Sequence, residues 1–259
     1  MASDDIKEIA LEMLKQHQRG KPFVNLSPKY QPKSFTDAYR AQDFFQKLSN
    51  RGPLGGFKIG LASKTQQELT GISHPLYGGI FKKEIETSPA TIRYKNYLNL
   101  GLEFELAVTI SHDIPKVHAL FDEETILGVI ESVHPAFEIA IDRKADYSNL
   151  DPISMVVDNV WCGGVILGPS LPNWKAANIN KLTATLKWNN ESPKNVLVGD
   201  ASPLASLVWV ISSLLKRNKG IPKGFVILTG TVLKTRNAKS GDKVSYNIGQ
   251  LSEVRLDII

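Results

Sequence analysis

Two glutamates stand two apart in Leu102-Glu103-Phe104-Glu105-Leu106-Ala107-Val108, a run that otherwise reads as a β-strand. Side chains alternate along a strand, so both carboxylates share one face while Leu102, Phe104, Leu106, Val108 and Ile110 offer the other to a core. A third acid repeats the arrangement in Ala136-Phe137-Glu138-Ile139-Ala140-Ile141, with Glu138 beside Ala140 on the face opposite Phe137, Ile139 and Ile141. If the three met in space without a cation, each pair at about 4 Å would repel by roughly 4 kcal/mol at an effective dielectric of about 20, before any desolvation cost. A divalent cation cancels that repulsion. Three carboxylates completed by water and a chelating substrate suit the oxygen-preferring Mg²⁺ or Mn²⁺. The alternative is a solvated sheet face, which antiparallel sheets commonly expose.

Lys58 is the next candidate, because it lies between Phe57 and Ile59 on a strand-like run and shares a face with Gly60, a residue that lets a ligand approach closely. A lysine there holds an anionic substrate or, with a lowered pKa, moves a proton. The alternative is a surface lysine with its stem laid on apolar neighbours. The histidines (17, 74, 112, 118 and 134) are too scattered for a metal cluster or a nucleophile relay. Cys162, the one cysteine, has no histidine or cation placed beside it by sequence and reads as buried and structural.

The elements that must position these residues follow from composition and periodicity. At 259 residues, 42% hydrophobic and 22% charged, the chain has the make-up of a globular protein rather than a disordered one. Its net charge of +5 is spread thinly, and the short run Lys216-Arg217-Asn218-Lys219 reads as the last turn of a helix, so no nucleic-acid partner is expected. One cysteine excludes an internal disulfide framework, and the apolar stretch 203–215 is too short to span a bilayer; a cytoplasmic protein without a membrane partner is the expectation. Helical spacing runs over 4–19 and from a cap at Ser34 or Thr36 toward Gly52; a third helix is expected over about 203–219. Strands are expected over 57–61, 102–110, 136–142, 225–231, 243–248 and 253–258, and much of 62–91, rich in turn formers, reads as loop. The class is α+β: a helical amino-terminal portion, residues 1–52, against a β-rich body, residues 53–259, of antiparallel or mixed pairs.

Taken in order, Gly-Phe-Lys-Ile-Gly-Leu (56–61), Glu-Phe-Glu-Leu-Ala (103–107), His-Pro-Ala-Phe-Glu (134–138), Val-Val-Asp-Asn (156–159) and Ile-Leu-Thr-Gly-Thr (227–231) resemble the fumarylacetoacetate hydrolase superfamily. Within it, the motif set looks most like the 2-oxopent-4-enoate hydratase and 4-oxalocrotonate decarboxylase branch. The resemblance implies a mixed β-roll body, homo-oligomers, Mg²⁺ (or Mn²⁺) held by Glu103, Glu105 and Glu138, and Lys58 in the active site. It also implies that the backbone around Leu61 and the Thr-Gly-Thr turn through Thr231 meet the carboxylate of a small 2-oxo acid. The chain departs from the hydratase pattern at Leu76, where an acid is common, at Trp161, where a serine is common, and at Ser202-Pro203, where His-Pro is common. An uncharged residue at the Leu76 position also occurs among the decarboxylases. The implied activity is hydration of 2-hydroxypenta-2,4-dienoate to 4-hydroxy-2-oxopentanoate. The alternatives are a 4-oxalocrotonate-type decarboxylase, an acylpyruvate-type C–C hydrolase and a catalytically silent oligomeric binding protein.

Overall fold

In the computed structural model, which describes residues 1–18, 20–116, 120–249 and 252–259, the amino-terminal part is helical for the reasons its sequence offers. α1 (Ser3–Gln18) has Asp4 and Asp5 in its first turn and buries Ile6, Ile9, Ala10, Met13 and Leu14 on one face. It packs on α2 (Phe35–Leu48), whose first turn is capped by the Ser34 hydroxyl accepting from the Asp37 N–H at 3.2 Å. The expected helix end at Arg19 lies outside the described residues.

The body then runs β1 (Leu54–Gly60), α3 (Lys64–Thr70), β2 (Leu76–Phe81), β3 (Ile85–Thr87), β4 (Ala90–Ile92), β5 (Gly101–Ile110), β6 (Ile130–Ala140), α4 (Pro152–Val157) and β7 (Cys162–Leu167). It continues through β8 (Thr183–Trp188), β9 (Lys194–Leu197), α5 (Pro203–Lys216), β10 (Val226–Thr231), β11 (Arg236–Asn237), β12 (Lys243–Ile248) and β13 (Ser252–Ile258). One sheet has the order β2-β1-β10-β5-β6-β7-β3, with β11 added beside β5, and the other the order β4-β13-β12-β8-β9. Most pairs are antiparallel, while β1 with β10, β3 with β7 and β4 with β13 are parallel, so the sheets are mixed as expected.

The face of β5 and β6 that the sequence marks as apolar joins the two sheets: Phe104 and Phe137 meet Tyr246 with ring centroids 5.9 and 6.2 Å apart, and Phe104 also meets Trp188. The other face of the larger sheet carries a small apolar plug of Ile80, Ala107, Ala136, Cys162, Val165, Val226 and Leu228. α5 lies against β10 and β1, burying Leu207, Val210, Ile211, Leu214 and Leu215. The helical run that includes the turn before it, Val198–Lys216, is 19 residues long and is interrupted at Ser202, whose φ is +49°.

The reading of 62–91 as mostly loop is corrected. α3, β2 and β3 fall within it and β4 begins in it, and every residue of β2 is buried. Gly78 and Gly79, which look like turn signals, are needed here because the chain segment around Asn159 and the side chains of Gln46 and Leu54 pack where β-carbons would stand.

Candidate metal centre

β5 and β6 pair antiparallel with Glu103 opposite Glu138 and Glu105 opposite Ala136, so the period-two pattern puts three carboxylates on one face of two adjacent strands. One oxygen from each of Glu103, Glu105 and Glu138 lies within 4.8 Å of the others. Glu105 and Glu138 are wholly buried, and Glu103 is half-buried at the open end of the group. This removes the solvated-face alternative for the trio. Among the described residues, no histidine joins them; His118 lies outside that set.

Neighbouring strands hold the acids in place. The Gly230 N–H donates to Glu105 Oε2 at 2.7 Å from a bulge in β10, and the Thr235 hydroxyl donates to Glu103 Oε1 at 2.7 Å. Among the described residues, Glu105 Oε1 and Glu138 Oε2 have no hydrogen-bond partner. Lys58 Nζ lies 2.7 Å from Glu138 Oε1, a buried ion pair at hydrogen-bond distance. Buried anionic oxygens without donors are costly, and a cluster of three carboxylates facing one ammonium carries surplus negative charge. The residues present therefore fit a hard divalent cation: oxygen donors, more than one of them negative, with lone pairs left open toward each other.

The electrostatics follow. Burial, reinforced by Glu138 and Glu103, pushes Glu105 well above the usual carboxylate range. Burial also raises Glu138, to about 7, against the pull of Lys58. Lys58 itself is 3% exposed, which overturns the surface-lysine alternative. Burial alone would lower its pKa, but Glu138 and Glu103 outweigh burial and hold the ammonium above its ordinary value. Without a cation the acids thus hold Lys58 as a positive charge, and a divalent cation among them would pull its pKa the other way. Cys162 is buried at 1% exposure, and burial, then Glu138, pushes its thiol up to about 12, which fits a structural residue.

Leu61 follows β1 with φ +50°, a left-handed conformation uncommon outside glycine, and its carbonyl accepts from Gln67 Nε2 at 3.0 Å. The Thr231 hydroxyl accepts from the Phe104 N–H at 3.0 Å and donates to the Leu233 carbonyl at 2.7 Å, so donating its proton to a ligand would require releasing Leu233.

In the sequence the Asp158-Asn159 pair stands only as part of a motif, and the structure gives both residues definite work. Asp158, 2% exposed, receives Arg143 Nη2 at 2.5 Å and the His17 ring of α1. Asn159, Val160 and Trp161 then form a left-handed turn with φ of +54°, +51° and +58°. Such a conformation costs roughly 1–2 kcal/mol per residue and persists only when its surroundings fix it. Here the Asn159 side chain accepts from the Gly79 N–H at 2.8 Å and donates to the Gly79 carbonyl at 2.7 Å, as a neighbouring strand would, and Gln46 Nε2 donates to it at 2.8 Å. The Gly60 expectation is corrected as well: the space beside its α-carbon is taken by the Val160 side chain rather than left for a ligand.

The acid trio and Lys58 thus come together on the larger, mixed sheet. The fumarylacetoacetate (FAA) hydrolase C-terminal family matches residues 65–259, and the chain belongs to the fumarylacetoacetate hydrolase family. It is similar to the 2-keto-4-pentenoate hydratase of Paraburkholderia xenovorans (strain LB400), 25% identical over 99% of this chain and 96% of that protein. Its fold is that of 4-oxalocrotonate decarboxylase from Pseudomonas putida G7 complexed with magnesium and adipate, with a TM-score of 0.89 at 20% identity over 100% of this chain and 99% of the other. The same decarboxylase complexed with calcium and acetate aligns with a TM-score of 0.87 at 20% identity over the same shares.

Proposed function

We propose that the protein is a divalent-metal-dependent lyase acting on short 2-oxo and 2-hydroxydienoic acids, with hydration of 2-hydroxypenta-2,4-dienoate to 4-hydroxy-2-oxopentanoate as its reaction. The observation that carries this reading is the trio of Glu103, Glu105 and Glu138, two of them wholly buried, with Glu105 Oε1 and Glu138 Oε2 unpartnered among the described residues and a buried ammonium alongside. The three carboxylates would hold Mg²⁺ (or Mn²⁺). Bound there, the cation would supply Lewis-acid stabilisation of the negative charge that develops on a 2-oxo oxygen, worth several kcal/mol.

The chain's own residues do the remainder. Lys58, protonated and fixed by Glu138, neutralises charge at the enol oxygen and carries a proton within reach of the reacting chain. The backbone around Leu61 and the Thr-Gly-Thr turn through Thr231 orient the substrate carboxylate, with the Gly230 N–H keeping Glu105 in place. Burial of Lys58, Glu105 and Glu138 keeps bulk water away and strengthens each of these interactions. A cytoplasmic homo-oligomer working on a free small molecule, not on nucleic acid or a membrane, accompanies this reading. The portion 1–52 supports the body 53–259, in which the chemistry lies.

One observation favours a second reading. Hydration needs a group that activates water, and Leu76 is wholly buried and apolar at the place where the hydratase pattern has an acid. Decarboxylation of a 2-oxo-enedioate requires mainly the electron sink, which the trio and Lys58 provide. The test is a pair of assays with Mg²⁺ present: ultraviolet loss of 2-hydroxypenta-2,4-dienoate, and carbon dioxide release from 2-oxohex-3-enedioate. Turnover of the first that stops on chelation is the expected result. Turnover of the second alone replaces hydratase by decarboxylase, and cleavage of acylpyruvates with neither of these would overturn the lyase reading.

A further inference from the structure

We propose that the left-handed turn Asn159–Trp161 is the strut that sets the Lys58 ammonium against Glu138, with Val160 bearing on the lysine and Asn159 anchoring the turn as positioning residues. Lys58 and Gly60 point to the same face of β1, and Lys58 stands directly opposite Gly78 on β2. Both glycines lie under the turn. A β-carbon built on Gly60 would be 2.5 Å from Val160 Cγ1 and 3.7 Å from Lys58 Nζ, with Met155 Cε at 3.9 Å. One on Gly78 would run into the Asn159 carbonyl and lie 3.3 Å from Val160 Cβ. The space beside Gly60 is therefore bordered by the fully buried Val160, by Met155 and by the Lys58 ammonium, which itself lies 2.7 Å from Glu138 Oε1.

With Val160 filling the space beside Gly60, the flexible four-carbon stem of Lys58 is denied that space in which to swing away from Glu138. The turn is well fixed for this purpose. Asn159 is bonded twice to Gly79 and once to Gln46, Asp158 is held by Arg143 and His17, and the Trp161 carbonyl accepts from the Ile141 N–H at 2.8 Å. Three successive left-handed residues, none of them glycine, persist where the conformation itself does a job, and this one places a branched side chain in a slot that only a glycine leaves open.

The inference rests on the proposed lyase reading for its kinetic test and on the ion pair alone for its spectroscopic one. Val160→Ala removes the methyl wall; Gly60→Ala combined with Val160→Ala refills the same space from the other side. In Val160→Ala, kcat should fall at least tenfold, with KM and Mn²⁺ affinity within twofold of the parent and thermal unfolding still cooperative. The double variant should recover to within threefold of the parent. In protein carrying ¹⁵N-lysine, the slowly exchanging Lys58 ammonium resonance should be sharp in the parent, broadened in Val160→Ala and restored in the double variant. An unchanged resonance in Val160→Ala, or a folded double variant that stays as impaired as the single one, would overturn the proposal. If the parent turns over neither dienoate nor enedioate while the resonances behave as expected, the lyase reading fails and the strut stands.

Discussion

Asp158 and the glutamate trio are acids withdrawn from solvent at two places in this chain, and they are balanced in opposite ways. Asp158 faces the guanidinium of Arg143 at 2.5 Å and the ring of His17, so its charge is matched within its own pocket. Among the described residues, Glu103, Glu105 and Glu138 face one ammonium between them, and Glu105 Oε1 and Glu138 Oε2 stay buried without a partner. A buried carboxylate is tolerated when partnered and costly when not. The matched acid therefore reads as a fastener and the unmatched ones as a receptor for positive charge. Burial alone would not have told them apart; the count of partners does.

The comparison can be broken most directly at Glu105. Glu105→Gln removes one ligand and one surplus charge, so turnover should drop by more than about a thousandfold and Mg²⁺ affinity by more than about a hundredfold, beyond the loss typical of an outer partner. In the same variant the melting temperature of the metal-free protein should hold or rise, since a repulsion is relieved. Isothermal titration with Mg²⁺ and differential scanning calorimetry check the two halves. Retained metal affinity would show that the receptor is elsewhere.

At the fastener the effects should be the reverse. Asp158→Asn leaves the buried Arg143 without its counter-charge and should cost about 3–5 kcal/mol in guanidinium unfolding, while Mg²⁺ affinity of the folded protein changes less than about twofold. A stable Asp158→Asn protein with weakened metal binding would merge the two groups into one.

The smallest effect is on pH dependence. In the metal-free protein Glu138 titrates near 7 rather than at its ordinary 4.5, and Glu105 is raised in the same direction. Folding favours their protonated forms, so the stabilisation they give is present below about 4.5 and is lost as pH rises through about 7. Melting temperature should fall across that window without metal. With saturating Mg²⁺ the fall should flatten or reverse, because binding needs the deprotonated acids and strengthens as pH rises. Parallel pH series of melting curves settle the sign.

What was legible in the sequence was local. Alternation marked β5 and, from residue 136 on, the second half of β6, and put Glu103, Glu105 and Glu138 on one face; spacing and caps marked α1 and α2. What was not legible depends on partners far away in the chain. β2 looks like a loop because Gly78 and Gly79 weaken its strand signal, and their necessity appears only when Asn159, some 80 residues on, is laid beside them. His17 meets Asp158 across 141 residues, which no periodicity encodes. Lys58 was ambiguous for a related reason: its neighbours in sequence permit a surface site, and only the folded-over turn and Glu138 bury it.

The way β2 ends the larger sheet has one more consequence. Its outward groups are already engaged by side chains: the Tyr77 N–H by the Tyr39 hydroxyl, the Tyr77 carbonyl by Gln42, and both groups of Gly79 by Asn159. An edge closed in this manner cannot recruit a strand from a neighbouring molecule, so fibre growth and strand-swapped dimers are blocked at that border. On the smaller sheet, the exposed edge strand β9 instead begins with Lys194, whose charge discourages the same kind of pairing.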